Sequence, residues 1–91
     1  MGYRISGFHT RDVPRSPFSR KHQQFRRLLA EARKHAGLTQ ADLARALGKP
    51  QSFVSKFERG ERRLDVIEFL DVARALSLDP MHVIADLERR S

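Results

Sequence analysis

TQADLARALGKPQSFVSKFER, residues Thr39 to Arg59, reads as two short helices joined by a tight turn. Thr39 can cap the first of the pair, and Asp42 three residues on completes a capping-box-like arrangement. Leu43, Ala44 and Leu47 fall on its inward side. Gly48 ends it after little more than two turns, where the connection favours positive φ. Pro50 opens the next helix at its first helical position, where no N–H donor is needed. Val54 and Phe57 make the buried side of that helix, with Phe53 at the margin, and Gly60 closes it. Gln51, Ser52, Ser55, Lys56 and Arg59 lie on the other side. Ala44 has to be small, because the second helix of the pair crosses close above it. Leu43, Leu47, Val54 and Phe57 then hold the two helices at a fixed angle.

Outward from this stretch the same helical periodicity continues. From about Ser19 to Ala36, Phe25, Leu28, Leu29, Ala32 and Ala36 recur at spacings of three, four and seven, and Gly37 suits a left-handed terminus. Asp65 caps a fourth helix with Glu68 at its third position. Val66, Ile67, Phe69, Leu70, Ala73 and Leu76 give that helix a broad apolar face. Asp79-Pro80 opens a fifth, carrying Met81, Val83, Ile84 and Leu87. No period-two alternation and no internal repeat follows residue 18. The expectation is an all-α fold of five short helices over residues 19–91, preceded by an arm at 1–18 that is extended or disordered. Gly2, Gly7, Pro14 and Pro17 break any helix in the arm. Tyr3, Ile5 and Phe8 suffice for a short docked strand but not for a core. A floppy tail is the commoner behaviour of such a segment.

The formal net charge is +7, and it is unevenly placed. Residues 1–36 hold nine Lys/Arg and two acids, whereas residues 37–91 hold nine of each. Such asymmetry points to a polyanionic partner, although a basic helix on a membrane surface would look similar. Cysteine is absent, which excludes disulfides and Cys-based metal sites and fits a reducing cytosol. Met1 to Thr10 contains no apolar signal core, and no apolar run approaches the ~20 residues that cross a bilayer. His9, His22, His35 and His82 show no i,i+4 pairing and no acid cluster at metal-ligand spacing. No phosphate-binding loop or nucleophile elbow is present. The reading is a non-enzyme with no metal and no cofactor.

The segments Leu38-Thr39-Gln40-Ala41-Asp42-Leu43-Ala44, Gly48, and Val54-Ser55-Lys56-Phe57-Glu58-Arg59-Gly60-Glu61-Arg62 resemble the phage-repressor/Cro-type, or Xre, helix-turn-helix family. The resemblance runs from about Leu28 to Leu87 and implies a lambda-repressor-like domain that binds double-stranded DNA in the cytoplasm, on the bacterial nucleoid. It implies that Gln40 holds a phosphate and braces the reading helix, 50–59. Gln51, Ser52 and Lys56 then read base edges, with Ser55 a phosphate or base contact. Arg59, Arg62 and Arg63 lie along the backbone. It also places a salt bridge between Arg33 and Glu58, joining the first and third helices.

The residue chemistry agrees: Gln pairs with adenine, Lys donates to guanine, and Arg and helix N-termini suit phosphates. Each of these residues also has a plainer reading as part of a solvated helix face. Phe53 is unusual at its position and either packs against the first helix or touches a thymine methyl. Arg11, Arg15 and Arg20 form either a minor-groove arm or, more commonly, a solvated basic tail.

The leading functional expectation is a sequence-specific transcriptional regulator, preferably a repressor. It would act as a homodimer through the C-terminal helix, using Met81, Val83, Ile84 and Leu87. The alternative is an antitoxin or protein-interaction module that also binds DNA and takes its protein partner through the arm. A membrane-surface or RNA-binding role ranks last.

Overall fold

A computed structural model describes residues 19–90, and these form an all-α arrangement: α1 Arg20–His35, α2 Gln40–Leu47, α3 Gln51–Arg59, α4 Val66–Ala75 and α5 Pro80–Arg89. The arm at 1–18, with Tyr3, Ile5, Phe8, His9, Arg11 and Arg15, lies outside the described residues, as does Ser91.

Local chemistry sets the helix starts. Ser19 Oγ accepts from the His22 amide at the head of α1. Thr39 and Asp42 form a reciprocal capping box on α2, and Asp65 and Glu68 do the same on α4. Asp79 caps α5, with Pro80 at its first turn. Pro50 departs from expectation by one position: its ψ of 156° is extended, so it is the N-cap of α3 and Gln51 is the first helical residue. The proline still fits, because its fixed φ and missing N–H suit the boundary on either side.

The ends of α1, α2 and α3 share one device. The chain turns through Gly37, Gly48 and Gly60 at positive φ, which reverses its direction and lets following amides satisfy the last carbonyls. After α4 the same turn falls on a side chain: Ser77 has φ of 57°, its amide donates to Arg74 and the Leu78 amide donates to Ala73. An L residue there is strained by about 1–2 kcal/mol, part of which glycine would return as lost chain entropy. Ser77→Gly is therefore expected to stabilise the fold by roughly 0.5–1 kcal/mol, read as a raised midpoint in urea unfolding at an unchanged slope.

The core lies where α2, α3 and α4 meet under α1 and α5. Leu43 and Val54 are sealed from solvent, as are Val72 and Ala73 of α4, and Ala44 is buried as its small size requires. Leu29 enters from α1 and Val83 from α5. Phe25 and Phe69 meet edge to face at 5.3 Å between ring centroids, tying α1 to α4. The broad apolar face expected of α4 is divided. Phe69, Val72, Ala73 and Leu76 are inside, whereas Val66, Ile67 and Leu70 face solvent. The inward set has spacings of three and four residues, which is as wide a stripe as the neighbouring helices cover.

Candidate nucleic-acid interface

The site is built on α3. Its apolar side, Phe53, Val54 and Phe57, is buried, which fixes the rotation of the helix about its axis. Ser52, Ser55, Lys56 and Arg59 are then left on the opposite side, with Gln51 exposed at its first turn. The Gln51 amide and the Ser52 hydroxyl make no hydrogen bond within the described residues, so both are available to a ligand. Ser55 Oγ donates to the Ser52 carbonyl at 3.3 Å and is half-buried.

A buried polar network anchors α3 to the rest. Arg33 is only 8% exposed. Its Nε and Nη2 donate to the Glu58 carboxylate at 2.8 and 3.1 Å, and its Nη1 donates to the Leu38 carbonyl at 2.8 Å. Gln40 Nε2 donates to the same carboxylate at 2.9 Å. One arginine thus clamps α1, the α1–α2 turn and α3 together, and Gln40 braces α3 directly from the start of α2. A bidentate arginine–carboxylate pair in which all three guanidinium nitrogens are hydrogen-bonded is the arrangement that makes burial of two charges tolerable.

Arg26 does related work that its sequence position did not disclose. Its Nη1 donates to the Glu58 carbonyl at 3.1 Å, placing a cation in the last turn of α3 where the helix dipole favours one. Its guanidinium lies so close over Gly60 that a Cβ there would sit 2.8 Å from Arg26 Cζ. Gly60 is favoured by its positive φ, and a side chain there would also displace the Arg26 guanidinium.

The arginines expected along the DNA backbone are not equivalent. Arg59 is exposed and pairs with Glu61 at 2.9 and 3.1 Å, an ion pair of the kind that opens at little cost. The hydrogen bonds and charge of Arg59 hold the Glu61 carboxyl below its ordinary value, with a smaller contribution from Lys56. Arg62 is instead held in place. It chelates Glu68 at 2.9 and 2.8 Å, donates to the Arg63 carbonyl at 3.0 Å, and lies 4.7 Å over the Phe53 ring. Arg63 is exposed beside it.

Phe53 is buried rather than marginal. It meets Phe57 edge to face at 5.7 Å between ring centroids and lines a crevice with Leu47, Lys49, Glu68 and Asp71, between α2 and α4. The Arg62–Glu68–Phe53 assembly fastens the α3–α4 turn.

Two carboxylates in this frame titrate well below their ordinary range. Glu68 is lowered from 4.5 to about 2, first by its hydrogen bonds from Arg62 and then by the Asp65 amide. Asp42 is lowered from 3.8 to about 2, chiefly by the Thr39 amide and then by Arg45. A depressed folded-state pKa contributes stability above the unfolded value and loses it as pH falls through the folded one. The thermal midpoint is therefore expected to drop between about pH 4.5 and pH 2, and Glu68→Gln should flatten part of that slope in pH-dependent melting.

Among the described residues no group of His, Asp and Glu stands together as a metal site, and no helix is long and apolar enough to cross a membrane.

A helix-turn-helix family model matches residues 29–82, which includes α2, the turn at Gly48 and α3. The chain belongs to the Xre-type helix-turn-helix family. An XRE-family like protein from Pseudomonas syringae pv. tomato is 52% identical, with a TM-score of 0.75 over 78% of this chain and 87% of that one. The restriction-modification controller protein C.AhdI from Aeromonas hydrophila is 33% identical, with a TM-score of 0.64 over 69% of this chain and 91% of its own. A variant of the restriction-modification controller C.Esp1396I shares the fold at 22% identity, with a TM-score of 0.70 over 79% of this chain and 91% of that one. No curated protein matches. Membership makes this chain a DNA-binding transcription regulator of Xre type.

Proposed function

We propose that this Xre-type chain is a sequence-specific repressor that reads the major groove of duplex DNA with α3. The observation that carries this is the division of α3: three aromatic or branched side chains fix one side in the core, while Gln51, Ser52 and Lys56 stand exposed on a helix braced from two directions. A rigid helix with a polar outward side is what groove insertion requires. Gln51 and Lys56 read base edges, Ser52 assists, and Ser55 contacts base or phosphate. Arg59, released from Glu61, and Arg63 lie along phosphates. Gln40 serves mainly as a brace, and Arg62 as a positioning residue for the turn. Titration of fluorescent duplex and single-stranded DNA of one sequence, at several salt concentrations, tests this. Preference for the duplex, with affinity falling steeply as salt rises, supports the reading; equal binding to both forms contradicts it.

A single α3 spans only a few base pairs, so useful specificity needs a doubled site. The protein acts as a two-fold dimer with half-sites about one helical turn apart. Of the four residues expected at the interface, Val83 and Leu87 pack inward on the core, which leaves Met81, 68% exposed, and Ile84 for the partner. Val66, Ile67 and Leu70 of α4 add exposed apolar surface, a common mark of association. Met81→Asp is expected to weaken the dimer in sedimentation equilibrium and to lower DNA affinity with it; a wild-type chain that stays monomeric free and on DNA would remove the dimer from the account. The likeness to C.AhdI favours one second reading, control of a restriction-modification system, which genes adjoining this one would reveal.

A further inference from the structure

Three glutamates stand around the end of α3, and two of them belong to the frame. Glu58 takes the Arg33 and Gln40 hydrogen bonds. Glu68 is chelated by Arg62 and closes the capping box of α4. Glu61 has neither role. Among the described residues its carboxylate accepts only from Arg59, at 2.9 and 3.1 Å. The pair spans two residues of sequence and joins no two helices. It is open to water, with the Arg59 side chain 56% and the Glu61 side chain 53% exposed. A pair of that kind adds little to stability.

The position of Glu61 is nonetheless fixed. Its amide donates to the Lys56 carbonyl at 2.9 Å, and Gly60 before it turns at φ of 85°. The carboxylate thus stands beside Arg59 on the outward side of α3. It takes Nε and Nη2 of Arg59 together, the edge of the guanidinium that a phosphate would grip in the same bidentate way. Of the two cations on that side of α3, Lys56 has no salt bridge among the described residues, and Arg59 alone is covered.

We propose that Glu61 is an internal competitor with DNA phosphate: it masks Arg59 in the free protein and must release it when duplex binds. The inference rests on the reading that Arg59 lies along a phosphate. Binding then exchanges one bidentate partner of Arg59 for another, and only the difference between them adds to affinity. The ion balance is affected in the same sense. A cation that neutralises a phosphate releases a condensed counter-ion and steepens the salt dependence by about 0.9. Glu61, uncovered beside the DNA, draws cations back from solution and offsets part of that release. The mask therefore lowers affinity for duplex of every sequence, and it hides most of the Arg59 contact from the salt slope.

Anisotropy titration of one fixed fluorescent duplex with the full wild-type chain, Glu61→Gln, Arg59→Ala and the double variant, each over a range of salt concentrations, tests this. Both side chains are exposed, so the variants keep the fold, which circular dichroism verifies. Glu61→Gln is expected to bind roughly two- to fivefold tighter than wild type, with a salt slope steeper by up to about 0.9. Both gains should shrink where Arg59 is already alanine. Equal gains in the two backgrounds would mean that Glu61 acts through net charge alone, which overturns the proposal. Weakening by Arg59→Ala with no gain from Glu61→Gln removes the mask and leaves the phosphate role of Arg59 standing. Arg59→Ala that binds as tightly as wild type, at the same salt slope, removes that role and the mask with it.

Discussion

Glu58→Ala is expected to lower the unfolding free energy by on the order of 3–5 kcal/mol, and Arg33→Ala by a similar amount. The reason is desolvation rather than lost attraction. Arg33 is 8% exposed, and two of its three hydrogen-bonded nitrogens point at the Glu58 carboxylate. With Glu58 gone, a buried guanidinium keeps only the Leu38 carbonyl, and Gln40 Nε2 loses its acceptor. A small domain holds only about 5–15 kcal/mol in all, so either single variant should be largely unfolded near its working temperature. Replacing both residues by methionine removes both charges together and should cost clearly less than either single change. Equilibrium denaturation of the two alanine variants and the double variant decides the matter. Additive losses would mean that the pair is two independent surface charges, contrary to its burial.

The second large effect falls on recognition. Gln51→Ala and Lys56→Ala are each expected to cost about 1–3 kcal/mol of discrimination at one base position, roughly 5- to 150-fold, with little change in affinity for random duplex. Arg63→Ala should behave in the opposite sense, weakening binding to every sequence and lowering the salt slope by about one. Arg62→Ala is a third kind of variant. Because Arg62 is committed to Glu68 and lies over Phe53, its loss should loosen the α3–α4 turn and show as instability before it shows in DNA contacts. Competition binding against duplexes with single base changes separates these classes.

Much of this was legible in the residue order, for reasons that are local. Thr39 with Asp42 and Asp65 with Glu68 specify helix starts through hydrogen bonds only three residues apart. Gly37, Gly48 and Gly60 mark ends that demand positive φ. The end of α4 could not be read this way, because Ser77 adopts the glycine conformation without being glycine. Pro50 fits equally as cap or first helical residue, so its place was uncertain by one. Which part of α4's apolar stripe is covered depends on where α2 and α5 lie, a tertiary fact that periodicity does not contain; Val66, Ile67 and Leu70 are outside for that reason. Arginine was the least readable residue type. Arg33 is set apart only by the family resemblance, which pairs it with Glu58. Arg26, Arg59 and Arg62 look alike in sequence, yet one shields a helix end, one holds a loose surface pair and one lies over a ring. Only the partner distinguishes them, and each lies on another element or beyond the helix end. The base-reading residues Gln51, Ser52 and Lys56 rest on a position in the motif together with their exposure.

Helix α3 is proposed to select a DNA sequence. Selection of bound molecules from a pool of random duplexes, at a stated salt concentration, measures this most directly, with the wild-type chain run beside Gln51→Ala and Lys56→Ala. One enriched motif is expected, arranged as two inverted half-sites about one helical turn apart, whose preferred base changes or relaxes at one position per half-site in each variant. Enrichment of no motif, or the same motif undisturbed in both variants, would contradict it.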